Sequence, residues 1–382
     1  INRKGKSAAT LGLETKHLRA EGDFELFYSL KGQDGDPVDI QLLTHRLPGD
    51  AEGHYLLLLS PQAWDADRKP LPKDVLFVLD TSGSMRGDKI DQARKAMEFC
   101  IESLHEQDRF EIIRFSTEAE PLFDRLQPAS DKNRKKALGF LKNLRAAGGT
   151  AIDEALRTAL ETVRNQKKTG ARLTQVLFLT DGRPTIGETG EDAIVATVTS
   201  RLGKAKAQQP RIFNFGVGTD VNTHLLDKIA EKAGTFTEYV FPGEDLEHKV
   251  STFYQKVSEP ALAGLKLKTE GGVRLTKTYP RPLPDLFHGG QLAILGRYRA
   301  EVPAGTLLLQ GHLGDQQKTF PFETTFPKVR KANAFIPRLW ATRRVGYLLD
   351  EIRLHGDNKE LREEVVALAR KHGIVTPYTS YL

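Results

Sequence analysis

The sequence predicts an α/β fold: a doubly wound, mostly parallel sheet inserted in a discontinuous antiparallel β domain, with C-terminal helices. Three observations predict it. The run Asp74–Asp80 is apolar almost throughout, as in a strand buried on both faces of a parallel sheet. From there to Val257, strand and helix patterns alternate. Before Pro70 and after Pro260 the pattern is instead strands parted by Gly- and Asp-rich turns.

Taken in order, residues 1–22 are basic and polar without periodicity and are expected to be a poorly ordered lead. Strand-like runs follow at Phe24–Leu30, Val38–Leu43 and Tyr55–Leu59, with turns at Gly32–Asp36 and Gly49-Asp50. In the central segment, strands are expected at Asp74–Asp80, Phe110–Phe115, Gln175–Thr180, Arg211–Phe215 and Thr235–Val240. Helices are expected at Lys89–Leu104, Asp131–Leu144, Ile152–Val163, Ala193–Leu202, His224–Ala233 and Leu246–Val257. The first of these helices repeats apolar residues at helical spacing: Ile90, Ala93, Met97, Ile101 and Leu104.

Beyond Pro260, alternating strands run at Leu265–Lys268, Val273–Thr278, Gln291–Arg299, Thr306–His312 and Thr319–Thr324, with turns at Gly271-Gly272, Gly289-Gly290 and Gly314-Asp315. Amphipathic helices close the pattern at Pro337–Leu354 and Lys359–Lys371. The few strands before Pro70 cannot make a sandwich alone, and those after Pro260 have edges to cover. Both groups are therefore expected to form one β domain in two parts, 23–70 and 260–330, around an α/β domain at 71–259, with a helical segment at 331–382.

Composition excludes several classes. With 382 residues, 39% of them hydrophobic, the chain can bury a core without staples. Its one cysteine, Cys100, rules out an internal disulfide framework and multi-cysteine zinc sites. Cys100 lies at apolar helical spacing and reads as a core residue. The net charge of +6 comes from 56 basic and 50 acidic residues that are interspersed, so nucleic-acid binding is not expected. No apolar run is long enough to span a membrane. The chain starts at Ile1, without a signal-peptide pattern, and reads as a processed or trimmed form.

The chemistry concentrates where the first buried strand ends. Asp80-Thr81-Ser82-Gly83-Ser84 is D-x-S-x-S at the C-terminal end of a parallel strand, where ligands bind in open α/β sheets. Gly148-Gly149-Thr150 precedes a helix, and Thr180-Asp181-Gly182 ends another buried strand. Parallel strands bring such loops to one edge, so Asp80, Ser82, Ser84, Thr150 and Asp181 can converge. Hydroxyls and carboxylates without nitrogen or sulfur suit a hard cation: Mg²⁺ first, with Mn²⁺ or Ca²⁺ as alternatives.

These five residues resemble, in type and order, the metal-ion-dependent adhesion site of von Willebrand factor type A domains, whose fold is Rossmann-like. The likeness runs further. Gly216–Thr219 with Asn222–Leu226, Arg281–Phe287, Ile336–Ala341 and Thr376–Ser380 are similar to segments of the inter-alpha-trypsin inhibitor heavy chain group. Residues 24–61 resemble the tail of the vault-protein/inter-alpha-trypsin (VIT) domain that precedes the A domain there. The wording of the motifs resembles bacterial members. The resemblance implies that Ser82, Ser84 and in some states Thr150 bind the metal directly, with Asp80 and Asp181 acting through water. A vacant coordination position would accept an Asp or Glu carboxylate from a protein partner. It also implies a secreted or cell-envelope, periplasmic setting. Arg86, Lys89 and Arg183, near that face, are expected either to steer an acidic partner or to form a solvated rim.

Other signals carry less. Arg86-Gly87-Asp88 spells an adhesion tripeptide, but it enters a helix that Asp88 is expected to cap. His105-Glu106 fails as a zinc motif because Arg109 holds the second His position, and Val221 breaks the dinucleotide pattern begun at Gly216. There is no phosphate loop and no nucleophile elbow. His224 and His248 read as lone histidines. The leading expectation is a non-enzymatic, metal-dependent adhesion module. The alternatives are a subunit recruiting a partner enzyme, and a matrix protein with a vestigial metal site.

Overall fold

The computed structural model describes residues 2–4, 8–10, 12, 38–61, 71–166, 172–203, 209–257, 260–288, 290–300, 303–313 and 316–379. The strand expected at Phe24–Leu30, the turns at Gly32–Asp36 and Gly314-Asp315, and Ser380 lie outside the described residues, as does Gly289 of the Gly289-Gly290 turn. The chain divides into two units, Ile1–Lys31 and Gly32–Leu382. In the first, β1 (Asn2–Lys4) pairs antiparallel with β2 (Ala8–Thr10) where no regular element is expected from sequence.

The second unit opens with β3 (Val38–His45) and β4 (Gly53–Pro61). The α/β segment follows. It contains β5 (Lys73–Asp80), a 3₁₀ turn at Gly83–Met85, α1 (Asp88–Glu102), β6 (Arg109–Phe115), β7 (Ala119–Pro121), β8 (Gln127–Pro128), α2 (Asp131–Lys142) and α3 (Ile152–Asn165). It continues with β9 (Leu173–Thr180), α4 (Glu191–Leu202), β10 (Arg211–Val217), α5 (Thr223–Ala233), β11 (Thr237–Val240) and α6 (Leu246–Val257). The sheet order is β11-β10-β9-β5-β6-β7, with β8 also on β6. All pairs from β11 to β6 are parallel; β7 and β8 join antiparallel.

Helices cover both faces, so every residue of β5 is buried. Its side chains alternate between two cores. Val75, Phe77 and Leu79 meet α1, α2 and α6; Leu76 and Val78 meet α3, α4 and α5. Cys100 lies in the first core, and burial pushes its thiol pKa well up, as befits a packing residue. The unbroken apolar run is thus the signature of double coverage.

The remaining elements are β12 (Pro260–Glu270), β13 (Val273–Tyr279), β14 (Leu286–Phe287), β15 (Leu292–Ala300), β16 (Ala304–Leu313), β17 (Gln316–Thr325), α7 (Ile336–His355) and α8 (Lys359–His372). One sheet has the order β14-β12-β16-β17, the other β13-β15-β4-β3. Strands from both sides of the α/β segment therefore share a sheet, because β4 pairs with β15 from Gly53↔Tyr298 to Leu59↔Leu292. The two sheets enclose one core, including Leu57, Leu59, Leu262, Leu265, Ile294, Leu307 and Leu309. In the β4–β15 ladder, Gly53 faces Tyr298 and Gly296 faces Tyr55. A Cβ on either glycine would lie 2.3–2.5 Å from the opposing ring, so each glycine is the seat of a tyrosine. Ile336, Trp340 and Ala341 of α7 pack with Leu56, Tyr279 and Leu295 of the second sheet.

A buried ion pair ties the α/β segment to the β segment that follows it. The Arg211 guanidinium of β10 donates to both Asp285 carboxylate oxygens, at 2.6 and 3.1 Å, and Asp285 also accepts the Gly264 N–H at 2.7 Å. Among the described residues no helix is long and apolar enough to cross a membrane.

Candidate metal centre

The register of the parallel sheet builds the site. Leu79 stands opposite Leu179 and Asp80 opposite Phe115, so β5, β6 and β9 end together. Asp80 is the last residue of β5, and Asp181 immediately follows β9. Backbone hydrogen bonds then fasten the loops. Gly83 N–H donates to Gly148 O (3.1 Å), Ala147 N–H to Thr81 O (2.9 Å), and Thr185 N–H to Thr150 O (3.0 Å). Gly148 takes φ +87°, and a Cβ there would stand 2.6 Å from Thr117 Oγ1, so this turn requires glycine.

All five expected residues come together. Ser84 Oγ donates to Asp181 Oδ1 at 2.7 Å and lies 3.0 Å from Ser82 Oγ. Thr150 Oγ1 and Ser84 Oγ lie 3.5 and 3.8 Å from where a Cβ on Gly182 would stand, so that glycine keeps the space between the loops open. Asp80 accepts the Ser82 N–H on Oδ1 (2.7 Å) and the Thr180 hydroxyl on Oδ2 (2.6 Å). It is fully buried, and burial pushes its pKa up to about 6 despite these donors. Asp181, Ser82 and Thr150 are buried too, while Ser84 is exposed.

The donor set fits a hard divalent ion. It offers three hydroxyls and two carboxylates and no nitrogen or sulfur. The Ser82–Ser84 oxygen separation matches adjacent corners of an octahedron with Mg–O bonds of about 2.0–2.1 Å, which stand roughly 2.9 Å apart. Among the described residues no group of three or more His, Cys, Asp or Glu could hold a metal.

Three features were not legible in the sequence. Thr180 orients Asp80, and Thr185 Oγ1 accepts the Thr150 N–H at 2.8 Å. Lys89, expected on the rim, places its ammonium 2.6 Å from Asp181 Oδ2. Arg86 does lie on the rim, donating to Ala146 O, and Arg183 is exposed. Asp88 is not the helix cap: Gly87, at φ +77°, holds that position without a side-chain bond, and Asp88 is the first helical residue. His224 is not alone either, since its Nδ1 pairs with Glu191.

Comparison with known proteins agrees with this fold. The sequence model of the von Willebrand factor type A domain matches residues 74–256. Inter-alpha-trypsin inhibitor heavy chain H4 of Homo sapiens is 30% identical over 344 residues, covering 86% of this chain and 36% of that protein. Heavy chain H3 of Homo sapiens is 27% identical over 374 residues, covering 94% of this chain and 40% of that one. The chain thus spans little more than a third of these curated relatives. The von Willebrand factor type A structure from Catenulispora acidiphila superposes with TM-score 0.62 at 16% identity, covering 88% of this chain and 87% of that chain. The ArnB paralog VWA2 from Sulfolobus acidocaldarius gives TM-score 0.55 at 16% identity, with 88% and 91% covered. Residues 74–256 thus match the von Willebrand factor type A domain in sequence and have its fold, in a chain similar to the inter-alpha-trypsin inhibitor heavy chains.

Proposed function

We propose that this chain is a non-enzymatic adhesion module, in which a divalent ion at the sheet edge binds an Asp or Glu carboxylate of a protein partner. Mg²⁺ is the preferred ion, with Mn²⁺ or Ca²⁺ as substitutes. Ser82, Ser84 and Thr150 would hold it, with Asp80 and Asp181 acting through water. When bound, the ion supplies a Lewis-acidic point for an external carboxylate.

One observation carries this reading: the chain already occupies its own carboxylates. Asp80 is engaged on both oxygens by Ser82 and Thr180, and Asp181 on both by Ser84 and Lys89. Few anionic oxygens are left for direct coordination, which favours a strongly electrophilic ion and an anionic ligand from outside. Arg86 and Arg183 stand exposed, where solvent screens their charge, so the metal's own charge carries the recognition. The likeness to the heavy chains supports a secreted or cell-envelope setting. It also supports reading the strands within 38–61 as the tail of a VIT domain; the motif wording supports a bacterial source.

Mn²⁺ tests the reading, because its bound waters report on water-proton relaxation. The intact chain is expected to bind Mn²⁺ with enhanced relaxation, and acetate, then a glutamate-containing peptide, is expected to lower that enhancement by displacing water. Absence of Mn²⁺ binding, or a bound ion indifferent to carboxylate, contradicts the proposal.

A further inference from the structure

We infer that Lys89 is a resident cation that holds Asp181 out of direct metal contact and so exchanges metal affinity for carboxylate affinity. The inference deepens the proposed function and rests on it. Lys89 is the second residue of α1, and its position follows from the tight loop between Ser82 and Gly87. Its Nζ lies 2.6 Å from Asp181 Oδ2; Asp181 is fully buried, whereas the lysine side chain remains 39% exposed. The side chain therefore borders both the site and the solvent from which a partner would arrive. The loop after β10 borders it: a Cβ on Gly218 would stand 3.4 Å from Nζ.

Hydrogen-bond polarity supports the assignment. An ionised Asp181 only accepts, so Ser84 gives its single proton to Oδ1 and Lys89 gives one to Oδ2. Ser82 must then donate in the contact between the two serines, and Ser84 keeps one lone pair for a cation. Asp181 thus polarises Ser84 and is itself neutralised from the far side. With two carboxylates, one ammonium and a divalent ion, the site carries a net charge of about +1, which an incoming carboxylate cancels. Without the ammonium the site is neutral: the ion is held more tightly and the external carboxylate more weakly. Lys89 is on this account a specificity-determining residue rather than a steering charge of the rim.

The test compares the intact chain with Lys89→Met, which keeps the aliphatic stem, and with Arg183→Met as a rim control. Mn²⁺ affinity is read by electron paramagnetic resonance and acetate affinity by water-proton relaxation, with thermal unfolding to confirm that each variant folds. Lys89→Met is expected to bind Mn²⁺ on the order of tenfold more tightly and acetate on the order of tenfold more weakly, as one unit charge beside a divalent ion requires. Arg183→Met should change either by less than about twofold, since exposed charges are screened. If the intact chain binds Mn²⁺ and Lys89→Met binds it no more tightly, the inference falls while the proposed function stands. Binding by Lys89→Met alone contradicts the proposed function of the intact chain, and the inference falls with it. Binding by neither chain overturns both.

Discussion

Asp108→Ala is expected to lower folding stability by about 3–5 kcal/mol, measured as a shift of the urea unfolding midpoint. Asp108 and Lys73 form an ion pair at 2.9 Å, with side chains 0% and 1% exposed. Asp108 also accepts the backbone N–H of Lys73 at 3.0 Å and of His105 at 2.9 Å. Removing it leaves an ammonium and two N–H groups in the interior without that acceptor. The pair itself adds little net stability, because desolvating two charges nearly cancels their attraction. The loss comes from breaking one half. Lys73→Met placed on Asp108→Ala should therefore recover part of the stability. Lys73 begins β5 and Asp80 ends it, so metal binding by the folded fraction should be unchanged. A loss below about 1 kcal/mol would mean that the buried charge finds another partner.

Asp80→Asn is expected to separate stability from metal binding. Its folded pKa, about 6, lies above the ordinary aspartate value of 3.8, so the folded chain holds the proton more tightly than the unfolded one. Stability therefore falls as pH rises from about 4 to about 6, and the cost of ionising Asp80 is complete above that range. Asparagine avoids this cost. Its carbonyl oxygen can keep the Ser82 N–H, while its amide can donate to Thr180 Oγ1 once that hydroxyl rotates. Without added metal the variant should be at least as stable as the parent at pH 7, and the advantage should vanish below about pH 4. Its divalent affinity should fall by roughly 10–100-fold, the usual effect of losing a group that orients ligands. Thermal melts with and without Mg²⁺ check this. The parent should be stabilised by the ion through mass action, the variant far less. Equal Mg²⁺ shifts in both chains would remove Asp80 from the site.

The features legible in the sequence were those with local signatures. The doubly covered strand β5 shows as an apolar run, and D-x-S-x-S, Gly-Gly-Thr and Thr-Asp-Gly each sit where a parallel strand or a helix must turn. What stayed hidden depends on distant pairing. Lys89 and Asp181 are 92 positions apart and Lys73 and Asp108 are 35 apart, so neither pair has a spacing signal. Glu111 looks like a solvent-facing residue of β6, yet it is fully buried. It accepts N–H groups from Ile112, Leu122, Phe123 and Arg125, and so anchors β7. The short strands β7, β8 and β14, two or three residues long, carry too little periodicity to read. Asp88 misled for a different reason: an acid at a helix start suggests a cap, but the turn needs positive φ, which glycine supplies.

The central claim is open coordination at the edge where β5 and β9 end. The most direct measurement is the manganese anomalous difference map of crystals of the intact chain soaked in MnCl₂. The account predicts one peak among Ser82, Ser84 and Thr150, with at least one ligand position held by water or by a carboxylate from outside the molecule. No peak there, or an ion enclosed entirely by the chain's own oxygens, would contradict it.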